Sequence, residues 1–242
     1  MPSETSSLAL PKRFYAAAGF EARPDGFALV LDGRGARTPG RRPLVLPTRS
    51  LAEAVAAEWE AQEGVIDPRR MPLTRLANSA IDGVADNGEA VAAEVVRYAG
   101  SDLLCYRAAH PEKLVTRQAA LWDPVLVWAR EDLAARFILA EGVMHVTQPD
   151  AALEAVAARV ERYSAPFALA ALNVMTTLSG SVLLALAVAE GQLSPAEAWG
   201  AAHVDEDFQI EAWGEDAEAS ARREARWQDF AAAARMFALS RA

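Results

Sequence analysis

Trp199, His203, Glu206, Ile210 and Trp213 recur at steps of four, three, four and three, which predicts one stripe along a single helix. A histidine one turn from a carboxylate is a general acid–base pair if both groups converge in a concave pocket. The same carboxylate on an apolar stripe would otherwise need a partner, because an unpaired buried charge is expensive. His203, Arg222, Arg223 or Arg226 would supply one internally, and an arginine of another protein would supply one from outside. Around Glu206, the stretch Val204–Ala219 carries seven acids (Asp205, Glu206, Asp207, Glu211, Glu215, Asp216 and Glu218) and no base. With Phe208, Ile210 and Trp213 interleaved, it reads as an acidic and aromatic interaction surface more than a plain solvated face.

Other chemistries find less support. Asp32-Gly33-Arg34-Gly35-Ala36-Arg37-Thr38 lacks the third glycine and the following helix of a dinucleotide loop, and no glycine precedes a Lys-Ser/Thr pair. The three histidines, His110, His145 and His203, lie far apart, so neither a metal nor any other cofactor is expected. Gly180-Ser181 sits in an apolar run with no recognisable base. The single cysteine, Cys105, lies between Leu104 and Tyr106 and suits a small buried filler in a reducing compartment.

The elements that must carry these residues fall into two parts. Residues 1–70 predict a small antiparallel β-rich domain with a helix, and residues 71–242 a larger helical domain, giving an α+β class. Asp25-Gly26 and Asp32-Gly33 between apolar runs are hairpin signals. After Thr48, a cap candidate along with Ser50, the spacing of Leu51, Val55, Trp59 and Gln62 turns helical. Helices are expected over 73–84, 89–99, 111–136, 150–163, 165–189, 195–213 and 217–239, with 103–106 and 142–146 as short strands or connectors. Ser194-Pro195-Ala196-Glu197 fixes the start of the helix over 195–213 by a cap, a first-position proline and a capping-box glutamate.

Tyr163–Ala189 contains no charged side chain over 27 positions. Its Pro166, Asn173, Thr176, Thr177 and Ser179–Ser181 argue for a buried helix pair or kinked helix rather than a membrane span. Met1–Leu10 lacks a secretory or organelle presequence pattern, which predicts a bacterial cytoplasmic protein. The net charge of −9 is uneven: residues 1–80 hold 11 basic against 9 acidic side chains, and residues 81–242 hold 13 against 24. An acidic C-terminal part repels nucleic acid and anionic lipid and favours a basic protein surface.

Asp32-Gly33-Arg34, Arg37-Thr38-Pro39, Leu46-Pro47-Thr48, Glu58-Trp59, Gln62, Met71-Pro72-Leu73-Thr74 and Asn78, followed by Glu206, Gln209 and Trp213-Gly214, together resemble the ATP synthase assembly chaperone family that acts on the α subunit. The resemblance runs from Arg13 to Trp227. It implies a non-enzymatic chaperone that binds free α before α pairs with β, without nucleotide hydrolysis; a monomer is the expected state. It places relatives in the mitochondrial matrix of eukaryotes. It also implies that Glu206 is a functionally important acid, with Asp205 standing where a glutamate is more usual. Asp205, Phe208, Gln209 and Trp213 then join Glu206 as partner-binding candidates. Arg34 and Arg37, with Arg41 and Arg42, form a second candidate surface, or else a solvated hairpin face. Trp59 and Met71 read as domain-packing residues, and Asn78 and Asp82, one helical turn apart, as hydrogen-bonding bridges between the domains.

Overall fold

A computed structural model describes residues 10–142 and 145–241. Residues 1–9, which hold most of the N-terminal targeting question, and 143–144 of the 142–146 connector lie outside the described residues. Strands β1 (Ala18–Arg23) and β2 (Gly26–Leu31) pair antiparallel, with Arg23 opposite Gly26 and Ala18 opposite Leu31. The turn is therefore Pro24-Asp25, one residue earlier than the Asp25-Gly26 signal suggests. Gly26 has a different duty: its φ is +140°, and a Cβ there would come within 2.4 Å of the Leu46 carbonyl oxygen. The second hairpin turns at Asp32-Gly33, both at positive φ, into β3 (Arg34–Gly35), as the sequence predicts. Strand β4 (Val45–Leu46) pairs with the other end of β2.

Helix α1 (Arg49–Glu60) is capped by Thr48, whose Oγ1 accepts from Leu51 N at 3.2 Å and donates to the Leu239 carbonyl at 2.6 Å. One hydroxyl thus joins the start of the first helix to the end of the last. Glu58 of α1 accepts from Leu73 N, Thr74 N and Thr74 Oγ1 at 2.7–2.8 Å, capping α2 (Pro72–Ser79) from outside. Burial pushes the Glu58 carboxyl up, against the pull of those three donors. A π-helical turn, Ala80–Val84, leads from α2 into α3 (Ala85–Arg97), merging two helices that the sequence spacing separates. Within that turn Asp82 accepts from Thr38 Oγ1 at 2.6 Å and Gly40 N at 2.8 Å, bridging helix and sheet loop as expected. Asn78 does not share the task; its Oδ1 is buried with no partner among the described residues.

Beyond α3 come the short strands β5 (Tyr106–Arg107) and β6 (Ala140–Glu141), paired in parallel, on either side of α4 (Glu112–Asp132). Next is α5 (Asp150–Glu161). The uncharged stretch forms two helices, α6 (Pro166–Ser179) and α7 (Val182–Ala189), separated by Gly180 at φ +70°. No helix of the described residues is long and apolar enough to cross a membrane. Leu169, Leu172, Met175, Leu183, Leu184 and Leu186 are fully buried, each worth roughly 1.5–3 kcal/mol of transfer free energy. They belong to one apolar cluster that reaches from Leu29 of the sheet to Phe237 of the last helix.

Asp102, fully buried, holds this centre to the chain before it. Its carboxylate accepts from Leu104 N and from Leu183 N, both at 3.1 Å, so it caps the turn Leu103–Cys105 and the first turn of α7 together. Cys105 lies buried beside it, as a filler would. Burial raises the Asp102 carboxyl to about 6, despite those donors. A folded-state value above the unfolded one means that the folded chain takes up the proton first; the resulting stability is full below the unfolded value near 3.8 and is lost as pH rises through about 6. Urea unfolding of wild type and Asp102→Asn should therefore show the wild-type advantage widening as pH falls from 7 to 4.5. A difference that stays constant with pH would place the titration elsewhere.

Candidate functional site

Helix α8 (Pro195–Ala202) begins as the sequence dictates: Ser194 Oγ accepts from Glu197 N at 3.2 Å, and Glu197 Oε2 accepts from Ser194 N at 2.7 Å. The helix does not run on to Trp213. It breaks at His203 (φ −117°, ψ 18°), and α9 (Val204–Trp213) starts afresh. The imidazole folds back along α8, with Nδ1 2.8 Å from the Trp199 carbonyl and its ring 3.9 Å from the Trp199 ring. Burial, at 7% exposure, lowers the histidine's proton affinity. Asp205, Glu206 and Asp207 then occupy the first turn of α9, where the partial positive charge of a helix N-terminus favours carboxylates.

Only Val204 of α9 is buried, so side-chain bonds from both neighbours hold the helix in place. On the α4 side, Gln118 Nε2 donates to Asp205 Oδ1 at 2.7 Å, and Arg117 grips Glu211 with two bonds of 2.6 Å. The Arg117 bond holds the Glu211 carboxyl below the usual range, and the Arg117 guanidinium also lies 5.6 Å from the Phe208 ring centre. Trp122 of α4 donates to the Ala201 carbonyl at 2.8 Å, fixing the end of α8. On the other side stands α10 (Ala217–Leu239), capped by Asp216, which accepts from Ala219 N at 2.7 Å. Arg223 of α10 pairs with Asp207 at 2.5 Å.

Between α8, α9 and α10 lies an open groove of about 620 Å³ lined by Trp199, Glu206, Gln209, Ile210, Trp213 and Trp227, among others. Glu206 has a side-chain exposure of 42%; its nearest cation is Arg223 Nε at 4.0 Å, and it accepts no hydrogen bond among the described residues. The internal ion pair is thus loose, because Arg223 closes on Asp207 instead. Trp213 is 89% exposed at the groove mouth, and Trp199 and Trp227 meet at 5.7 Å on its wall. A half-exposed carboxylate with open lone pairs, flanked by aromatic rings, suits a guanidinium or ammonium group.

Despite the helix break, four of the five stripe residues line this groove. His203 does not, so the acid–base pair of the alternative reading does not converge there. The candidates divide by face: Glu206, Gln209 and Trp213 face the groove, whereas Asp205 and Phe208 are engaged by α4. Trp227 and the anchoring Arg117 and Gln118 were not singled out from sequence. Trp227 sits three residues before the fully buried Phe230, a helical spacing that would have suggested a shared face. Of the N-terminal arginines, Arg42 is committed to Asp86 and to the Ile81 carbonyl, and Arg37 donates one bond to the Arg41 carbonyl at 2.8 Å. The Arg34 side chain makes no hydrogen bond or ion pair among the described residues. No group of three or more potential metal ligands gathers among them either.

Comparison with known proteins gives concordant matches. A family model described as ATP12 chaperone protein matches residues 12–130. The crystal structure of a protein from Agrobacterium tumefaciens, described as a candidate chaperone, is 51% identical with a TM-score of 0.92, covering 95% of this chain and 86% of that one. Atp12 from Paracoccus denitrificans is 44% identical with a TM-score of 0.90, covering 95% and 98%, and an aspartate-to-lysine mutant of it gives the same figures.

If side-chain bonds rather than a core hold α9, Arg117→Ala should speed amide hydrogen exchange across Val204–Trp213 while leaving exchange in α6 and α7 unchanged. Unaltered exchange in α9 would mean that Val204 and its apolar neighbours suffice.

Proposed function

The chain belongs to the ATP12 chaperone family, assembly chaperones of ATP synthase, and from that premise we propose that it holds the free α subunit of the F-type catalytic head through the α8–α9–α10 groove. The observation that carries this reading is Glu206, a groove carboxylate that accepts no hydrogen bond among the described residues and whose nearest cation there, Arg223, is already taken by Asp207. An arginine of the client would complete it by charge-assisted hydrogen bonds, with Gln209 beside it and Trp213 covering apolar surface.

An isolated α subunit exposes surface that its neighbours later cover, and such surface aggregates. Shielding it needs no nucleotide hydrolysis, only an affinity that the arriving β subunit can outcompete. A small, partly polar groove meets that requirement better than a large dry interface. The protein acts as a monomer in this scheme, and the acidic face around Glu206 steers a basic patch of the client towards it.

Separately expressed α and β subunits, offered to immobilised protein without nucleotide, should be told apart: α retained, β not. Glu206→Lys should weaken α capture about tenfold or more, because it replaces an attraction by a repulsion at one point. The residue is half-exposed, so the variant should melt as wild type does. Equal capture of α by the folded variant would remove the groove from the contact.

A further inference from the structure

A second groove, of about 540 Å³, lies on the opposite part of the chain and is lined by Phe14, Tyr15, Leu31, Arg34, Arg37 and Trp59, among others. Its walls are braced from within. The Tyr15 hydroxyl donates to the Trp59 carbonyl at 2.6 Å, and Arg13 packs 4.6 Å from the Tyr15 ring centre while donating to the carbonyls of Tyr15, Ala16, Glu60 and Gln62. Asp32, the acid of the lining, accepts from Ala16 N and Ala17 N at 2.9–3.0 Å, so its charge is absorbed by the backbone. Three features are left unanswered. Phe14 is 73% exposed, the Arg34 guanidinium makes no hydrogen bond or ion pair among the described residues, and the Trp59 indole N–H is buried without an acceptor among them. An aromatic surface beside one guanidinium without a bond (Arg34) and a second with one bond only (Arg37) asks for an occupant that is both apolar and acidic.

We infer that the Phe14–Arg34–Arg37–Trp59 groove is a second docking site, and that it takes an acidic, apolar-bearing peptide segment. Charge complementarity selects this occupant. The groove presents Arg34 and Arg37 where the groove of Glu206 presents a carboxylate, so the two sites demand opposite signs. A client engaged at both would be held in one orientation, since turning it end for end would set like charges against each other. The inference rests on the chaperone reading for its biological client, but the site's chemistry stands apart from it.

The test uses two fluorescein-labelled nine-residue peptides, one of alternating Glu and Leu and one of alternating Lys and Leu, titrated with the full chain and followed by anisotropy. The Glu–Leu peptide should bind, and more weakly as salt is raised; the Lys–Leu peptide should not compete for the site. Arg34→Glu with Arg37→Glu, both on exposed positions, should weaken Glu–Leu binding about tenfold or more, whereas Glu206→Lys should not weaken it. In an indole N–H spectrum, the resonance lost in Trp59→Phe should move on adding the Glu–Leu peptide to wild type. No binding of the Glu–Leu peptide, or binding indifferent to the double charge reversal, overturns the proposal. Capture of the α subunit is read separately, so loss of either result leaves the other interpretable.

Discussion

Burial of the uncharged stretch around α6 and α7 is the constraint on which the other elements depend. Two helices with no charged side chain between Tyr163 and Ala189 bury most of their surface, and α2, α3, α4, α5, α8 and α10 supply the cover around them or around one another. Such a centre leaves the first backbone N–H groups of α7 with nowhere to find water. Asp102 and Ser181 satisfy them, the first from a turn some eighty residues earlier in the chain. The sheet joins the same core through Leu29, Leu44 and Leu46, and Thr48 and Asp82 add polar ties from its loops to α10 and to the turn after α2.

Against this dry centre, α9 is an outlier. It is ten residues long, buries Val204 alone, and crowds three acids into its first turn. Its place is set by polar bonds from α4 and α10 that consume Asp205, Asp207 and Glu211 and pass over Glu206. The core therefore supplies orientation, and in the proposed reading the thinly supported helix supplies the contact surface. Elements with few buried contacts are the ones free to adjust to a partner, and a chaperone that must later release its client gains from having them at the contact.

Much of this was readable from residue order. The α+β arrangement, the Asp32-Gly33 hairpin, the Thr48 cap and the Ser194–Glu197 capping box are local signals that depend on neighbours within a few residues, and the structure has each of them. The uncharged stretch resolved into a buried helix pair because Gly180 offers the one left-handed position that ends a helix cheaply. The break at His203 was hidden by an unbroken helical stripe. Its cause, an imidazole bonded and stacked back onto Trp199, is a side-chain contact that spacing alone does not report. The run Asp205-Glu206-Asp207 was in fact a helix-start signal. The groove at Phe14 and Trp59 was equally hidden, since it joins residues 45 positions apart that periodicity treats separately.

The central claim is that the client rests on the α8–α9–α10 groove. Hydrogen–deuterium exchange of the chaperone, alone and with purified α subunit, tests it most directly. The account predicts new protection across Val204–Asp216 and at the start of α10. Protection confined to α3 and α5, with α9 exchanging as freely as before, would contradict it.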